Sequence, residues 1–136
     1  MALTELIQLE RPLVALDLET TGIHPAHDRI VQLGVVKLLL DGTEREWSTI
    51  VNPCVPIPPE ASEVHGIKDD MIRDAKPFAQ LAPSIARGLE GCDVCGYNVS
   101  FDMRFLESEM RRVPVPFDIK SFRIIDGFRI FARVAP

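Results

Sequence analysis

Two acids set two apart, Asp17 and Glu19 within Leu16-Asp17-Leu18-Glu19-Thr20-Thr21-Gly22, are the first residues whose types and spacing could do chemistry. In an extended chain residues i and i+2 project from one face, so both carboxylates enter the same space. Two anions that close repel unless something positive lies between them. Hard oxygen donors of this kind suit Mg²⁺ or Mn²⁺. A D-x-E pair by itself is common and reads as two solvated carboxylates. The apolar run before it and the Thr-Thr-Gly turn after it reverse that preference. A third acid, Asp102, closes Tyr97-Asn98-Val99-Ser100-Phe101-Asp102. A strand should end there and a helix begin, with Asn98 or Ser100 as cap. Asp102 then falls in the first helical turn, where the positive end of the helix dipole favours its ionised form. An acid at a helix start is frequent, but a second strand end beside the first is where α/β proteins build their sites.

These acids need strands that end side by side. Residues 12–17 form a branched apolar run suited to a buried strand, and residues 29–40 form a longer one. Asp41-Gly42 is a hairpin turn, and residues 44–51, more polar, predict a third strand near an edge. Residues 52–59 hold four prolines and predict a loop. A short helix is expected within 62–74. Phe78, Leu81, Ala82, Ile85, Ala86 and Leu89 recur at helical spacing. Pro83 inside that segment is tolerable only near the helix's first turn, and Gly91 ends it. A strand over 93–97, a helix over 100–112, a strand over 122–125 and a helix after Asp126 complete the reading. The order predicts an α/β fold: an antiparallel three-strand meander, then parallel strands, in one mixed sheet flanked by helices. One domain spanning residues 1–136 is expected, and the last helix is so short that the C-terminal end reads as incomplete.

Composition narrows the classes. With 46% hydrophobic and 26% charged residues the chain can bury a core without disulfide staples. A net charge of −5 excludes polyanion binding through the overall field, so a nucleic-acid partner would have to be met locally or through metal ions. From Met103 onward seven Lys/Arg stand against four acids, which suits a phosphate backbone or simply a solvated face. No stretch approaches the ~18 apolar residues of a membrane span. The N-terminus lacks a basic start before an apolar run, and three cysteines fit a reducing setting; a cytoplasmic location is expected. Cys92 and Cys95 make a C-x-x-C, but only Cys54 remains as a further ligand, and Cys95 reads as core.

The stretches LDLETTG and GYNVSFD, in that order, resemble the motifs of the DEDD-type 3′–5′ exonucleases, the family of the proofreading epsilon subunit of bacterial DNA polymerase III. Asp28-Arg29-Ile30, His65-Gly66-Ile67 and Ile124-Ile125-Asp126 extend the likeness over most of the chain. The resemblance implies a ribonuclease H-like fold and two Mg²⁺ or Mn²⁺ ions about 4 Å apart. Asp17 would bridge both ions, Glu19 would bind one and Asp102 the other. One ion would activate a water for attack on the terminal phosphodiester, and the other would stabilise the leaving 3′ oxygen. Thr20, Thr21 and Gly22 would meet the 3′-terminal nucleotide of a single strand, with His65 and Asn98 near it. Each has a plainer alternative, as turn, cap or loop residue.

One family feature is missing. A late helix should carry a histidine as general base and, after four intervening residues, an aspartate as fourth ligand. Residues 127–136 contain neither histidine nor carboxylate. His65 and Asp70 have the spacing but precede the fourth strand, and Asp126 resembles a helix cap. The expectation is a domain cut before its catalytic helix and nearly inactive alone. DNA is expected as substrate, in proofreading or repair, with a DNA polymerase as a possible partner. The alternatives are an inactive ribonuclease H-like module that binds a polymerase or nucleic acid, and an RNA exonuclease of the oligoribonuclease type.

Overall fold

The computed structural model of the chain describes residues 9–126. Strands β1 (Leu13–Thr20), β2 (Ile30–Leu38) and β3 (Glu44–Ile50) come first. Two short helices, α1 (Pro59–His65) and α2 (Asp69–Ile72), follow, then α3 (Phe78–Leu89), β4 (Asp93–Gly96) and α4 (Val99–Arg111). A single 3₁₀ turn, Ile119–Ser121, precedes β5 (Ile124–Asp126). The sheet order is β3-β2-β1-β4-β5. The pairs β1–β2 and β2–β3 are antiparallel, whereas β1–β4 and β4–β5 are parallel. This is the expected mixed sheet, with β3 on an edge. The helix expected after Asp126, and the side chain of Asp126 as its cap, lie outside the described residues.

Alternation along β1 sorts the two faces. Val14, Leu16 and Leu18 join Leu33, Val94, Ile85, Leu89, Met103 and Leu106 in the main core, which α3 and α4 cover. The opposite phase of β1 holds Leu13, in a smaller cluster with Leu38 and Cys95, then Ala15, Asp17 and Glu19. Cys92 lies in the first cluster and Cys95 in the second, so the two C-x-x-C side chains pack into separate cores.

Several boundaries differ from expectation. β1 runs on to Thr20, so Asp17 and Glu19 lie inside the strand rather than at its end. Pairing with β2 sustains it: Asp17 opposes Gly34 and Glu19 opposes Gln32, until a bulge places Thr20 opposite Ile30. The single helix expected over 62–74 is two, because Gly66 turns left-handed at φ 75° and caps the first. The first of them starts at Pro59, inside the expected proline loop, since proline suits an opening helical turn. Pro83 is the sixth residue of α3, past its first turn. Its missing N–H deprives only the Ala79 carbonyl, and both residues lie on the exposed face of the helix.

Candidate functional site

β1 is longer than its parallel neighbour. Pairing with β4 covers Leu13 to Ala15 only, so the Asp17–Glu19 stretch continues past the end of β4. The chain leaves β4 at Gly96 and must turn at once to start α4 beside that free edge. Gly96 makes the approach possible, since a Cβ there would meet the Leu16 carbonyl oxygen at 2.5 Å. Asn98 makes the turn, in a left-handed conformation (φ 57°, ψ 41°) that asparagine tolerates better than most residues. It occupies the N-cap position of α4, but neither it nor Ser100 supplies a side-chain cap bond. The expected capping is therefore absent, and the backbone turn does the work instead.

Asp102, in the first turn of α4, is 6% exposed and accepts a hydrogen bond from the backbone N–H of Leu18, the residue between the two β1 acids. Burial, then the charges of Asp17 and Glu19, push its carboxyl up from the usual 3.8 to about 7. The helix dipole was expected to keep it ionised; desolvation and like charge outweigh that effect. Asp17 is exposed and Glu19 is half-buried.

Three acids are buried among the described residues: Asp93, Asp102 and Glu109. Asp93 faces Arg123 at 3.4 Å and Arg11 at 4.0 Å, and Glu109 faces Arg29 at 2.8 Å and Arg112 at 2.9 Å. Among the described residues no lysine or arginine pairs with Asp102, whose charged neighbours are two more anions. Equally, no three His, Cys, Asp or Glu side chains among these residues are grouped closely enough to hold one ion as they stand. The three acids thus share an electrostatic field without forming a closed coordination sphere. Their donor set, all hard carboxylate oxygen, fits a divalent cation of the Mg²⁺ type and no soft metal.

A cleft of about 680 Å³ adjoins Glu19. Thr20, Thr21, Gly22 and His65 line it with Ile23 and Val64, whereas Asn98 is not among its walls. The Thr20 hydroxyl donates to the Gly22 carbonyl at 2.7 Å. The Thr21 hydroxyl accepts from the Arg29 N–H at 2.9 Å, and Thr21 is buried. Gly22 packs on the Asp28 carboxylate, which also accepts from the His24 N–H at 2.9 Å, and any side chain at 22 would collide with it. His65 Nδ1 accepts from the Ile67 N–H at 3.0 Å. The proton therefore sits on Nε2, which lies 3.2 Å from the Thr20 carbonyl and donates to it. With both nitrogens engaged, His65 has no lone pair free to take a proton from water; it fixes the main chain after Glu19.

Sequence reasoning missed Gly96 and Glu109. A glycine ending an apolar strand was the available signal for close backbone approach, whereas nothing local distinguishes Glu109 from Glu107, the partly exposed acid two residues before it.

Comparison with known proteins bears on the chain as a whole. The chain is 30% identical over 125 residues to the DNA polymerase III subunit epsilon of Treponema pallidum, covering 90% of this chain and 56% of that protein. It is 26% identical over 120 residues to the 3′-5′ exonuclease DinG of Staphylococcus saprophyticus, covering 88% of this chain and 13% of that one. It thus spans about half of the epsilon subunit and a small part of the longer protein. Exonuclease I of E. coli, solved with a dT13 oligonucleotide, superposes with a TM-score of 0.74 at 21% identity, over 93% of this chain and 31% of that one. The exonuclease I of Methylocaldum szegediense gives 0.75 at 22% identity, over 93% and 30%. These likenesses establish the ribonuclease H-like exonuclease fold. The RNase_T family profile, described as exonuclease, matches residues 14–134, and the chain is a member of that exonuclease family.

Proposed function

We propose that this chain supplies the front of a two-metal 3′–5′ exonuclease site that hydrolyses the terminal phosphodiester of single-stranded DNA. The observation that carries the reading is Asp102, a buried acid whose charged neighbours are Asp17 and Glu19. Every other buried acid among the described residues has arginine partners. A divalent cation is the counter-charge that would satisfy this one. Asp17, Glu19 and Asp102 would hold Mg²⁺ or Mn²⁺, which when bound supplies an activated water and charge stabilisation for the leaving 3′ oxygen.

The chain's own residues do the rest. The Leu18 N–H holds the Asp102 carboxyl at the β1 edge. His65 and the Thr20 hydroxyl shape the main chain beside Glu19, so that the cleft between them and the exposed Val64 can receive a terminal nucleotide. Ile23 and Val64, 71% and 83% exposed, offer apolar surface for its base. Asn98, outside that cleft, would serve through its turn. The names of the relatives support DNA rather than RNA and work beside a polymerase; a role in repair and a cytoplasmic location belong to the same proposal.

A second reading, a module that binds nucleic acid or a polymerase without turnover, rests on the spacing of the acids: among the described residues no three His, Cys, Asp or Glu side chains are grouped closely enough to hold one ion as they stand. A Mn²⁺ titration of the chain decides between an ion site and none. Saturable binding, lost in Asp17→Ala and weakened in Asp102→Ala, is expected. Equal affinity in Asp102→Ala and the parent chain would remove Asp102 from the site and the reading with it.

A further inference from the structure

We infer that Glu109 is a positioning residue: it sets where Asp102 stands relative to the β1 acids. This deepens, and rests on, the metal-site reading above. Asp102 and Glu109 are seven residues apart on α4, close to two full turns, so one buried stripe of the helix presents both. Glu109 is 1% exposed and uses both of its oxygens. Oε1 accepts from Arg29 Nε at 2.8 Å and from Arg112 Nη1 at 2.9 Å, and Oε2 accepts from the backbone N–H of Ile30 at 3.1 Å.

Those partners close a ring. Ile30 is the β2 residue paired with Thr20, across the bulge that follows Glu19. Arg112 also reaches the Ala26 carbonyl at 3.1 Å and the Pro25 carbonyl at 3.5 Å, in the loop between β1 and β2. The path runs from Asp102 down α4 to Glu109, across to Ile30, over to Thr20 and back to Glu19. The other link is the Leu18 N–H bond to Asp102 itself. A helix held only by apolar packing can slide or roll by fractions of an ångström. A carboxylate clamped to a main-chain N–H and two guanidinium groups cannot do so without leaving a buried charge unpaired. An apolar side chain of similar volume could fill the same space, so packing alone does not call for an acid here. Its effect is to lock α4 against the start of β2, hence the third acid against the first two.

The test uses the full chain with Glu109→Gln, which keeps the shape and loses the charge. Arg112→Gln serves as a milder second variant, since that arginine is partly exposed, should the first fold poorly. Glu107→Gln is the control, because among the described residues Glu107 pairs with Arg111 and with no member of the ring. The side-chain carboxyl ¹³C resonances of Asp17, Glu19 and Asp102 are followed, then Mn²⁺ affinity. Both bridge variants should shift the Asp102 and Glu19 resonances and weaken Mn²⁺ binding about tenfold or more, while the control leaves both unchanged. Unmoved resonances in folded Glu109→Gln would overturn the inference. If the parent chain binds no Mn²⁺ yet the resonances shift in the bridge variants, the positioning role stands and the two-metal reading falls.

Discussion

A carboxyl held to about 7 by burial and by two neighbouring acids carries a stability consequence at the residue scale. Between roughly pH 4 and 7 the folded chain keeps a proton on Asp102 that the unfolded chain has already released. The folded state binds more protons in that window, so stability falls as pH rises through it, and the penalty is complete above pH 7. Without divalent ions the melting temperature should therefore drop between pH 5 and pH 8, and Asp102→Asn should remove most of the drop. A profile equally steep in the variant would assign the effect elsewhere. Mn²⁺ at about 100 times its Kd should stabilise the chain at pH 8 by roughly 2.7 kcal/mol. It should do less at pH 5, where a proton competes for the same oxygens. Thermal melts with and without Mn²⁺ at the two pH values measure both.

At the scale of elements, two positions govern how the site-bearing pieces meet. Gly96 lets the end of β4 lie against β1, and Gly96→Ala forces a Cβ against the Leu16 carbonyl. Overpacking of this kind costs about 1–3 kcal/mol. Urea unfolding should report that loss, and Mn²⁺ affinity should fall because α4 starts from a displaced strand. Pro83 acts in the other direction. It sits in the second turn of α3 with no N–H to offer Ala79. Pro83→Ala should stabilise the chain by up to about 3 kcal/mol, less the chain entropy it restores to the unfolded state. Its effect on Mn²⁺ binding should be nil, since α3 packs away from the acids. A stabilised variant with altered ion affinity would show that α3 is coupled to the site.

For the molecule as a whole, net charge decides how a polyanion can bind. At −5 the average field repels a phosphate backbone. Binding of a single-stranded oligonucleotide, followed by fluorescence anisotropy, should be negligible in EDTA and appear with Mn²⁺. Tight binding in EDTA would mean that a basic surface, not the acidic centre, does the capturing. Much of the architecture was legible beforehand. The meander and the crossover order followed from apolar runs, turn residues and spacing, and the pairing of LDLETTG with GYNVSFD from the family resemblance. Boundaries were less so: β1 runs past Asp17 because β2 pairs with it, and no property of residues 17–20 alone announces that.

By itself the sequence determined which side chains are available, on which phase of a strand two of them lie, and that the third opens a helix. Those are properties of period and composition, local to a few residues. Only the tertiary structure decided that Asp102 is buried beside Leu18, and that its neighbours are acids while Asp93 and Glu109 have arginines. It also decided that His65 spends both ring nitrogens on the main chain. The reason is physical: desolvation, charge coupling and tautomer choice depend on distances between segments remote in the chain, and those distances exist only once the sheet has closed.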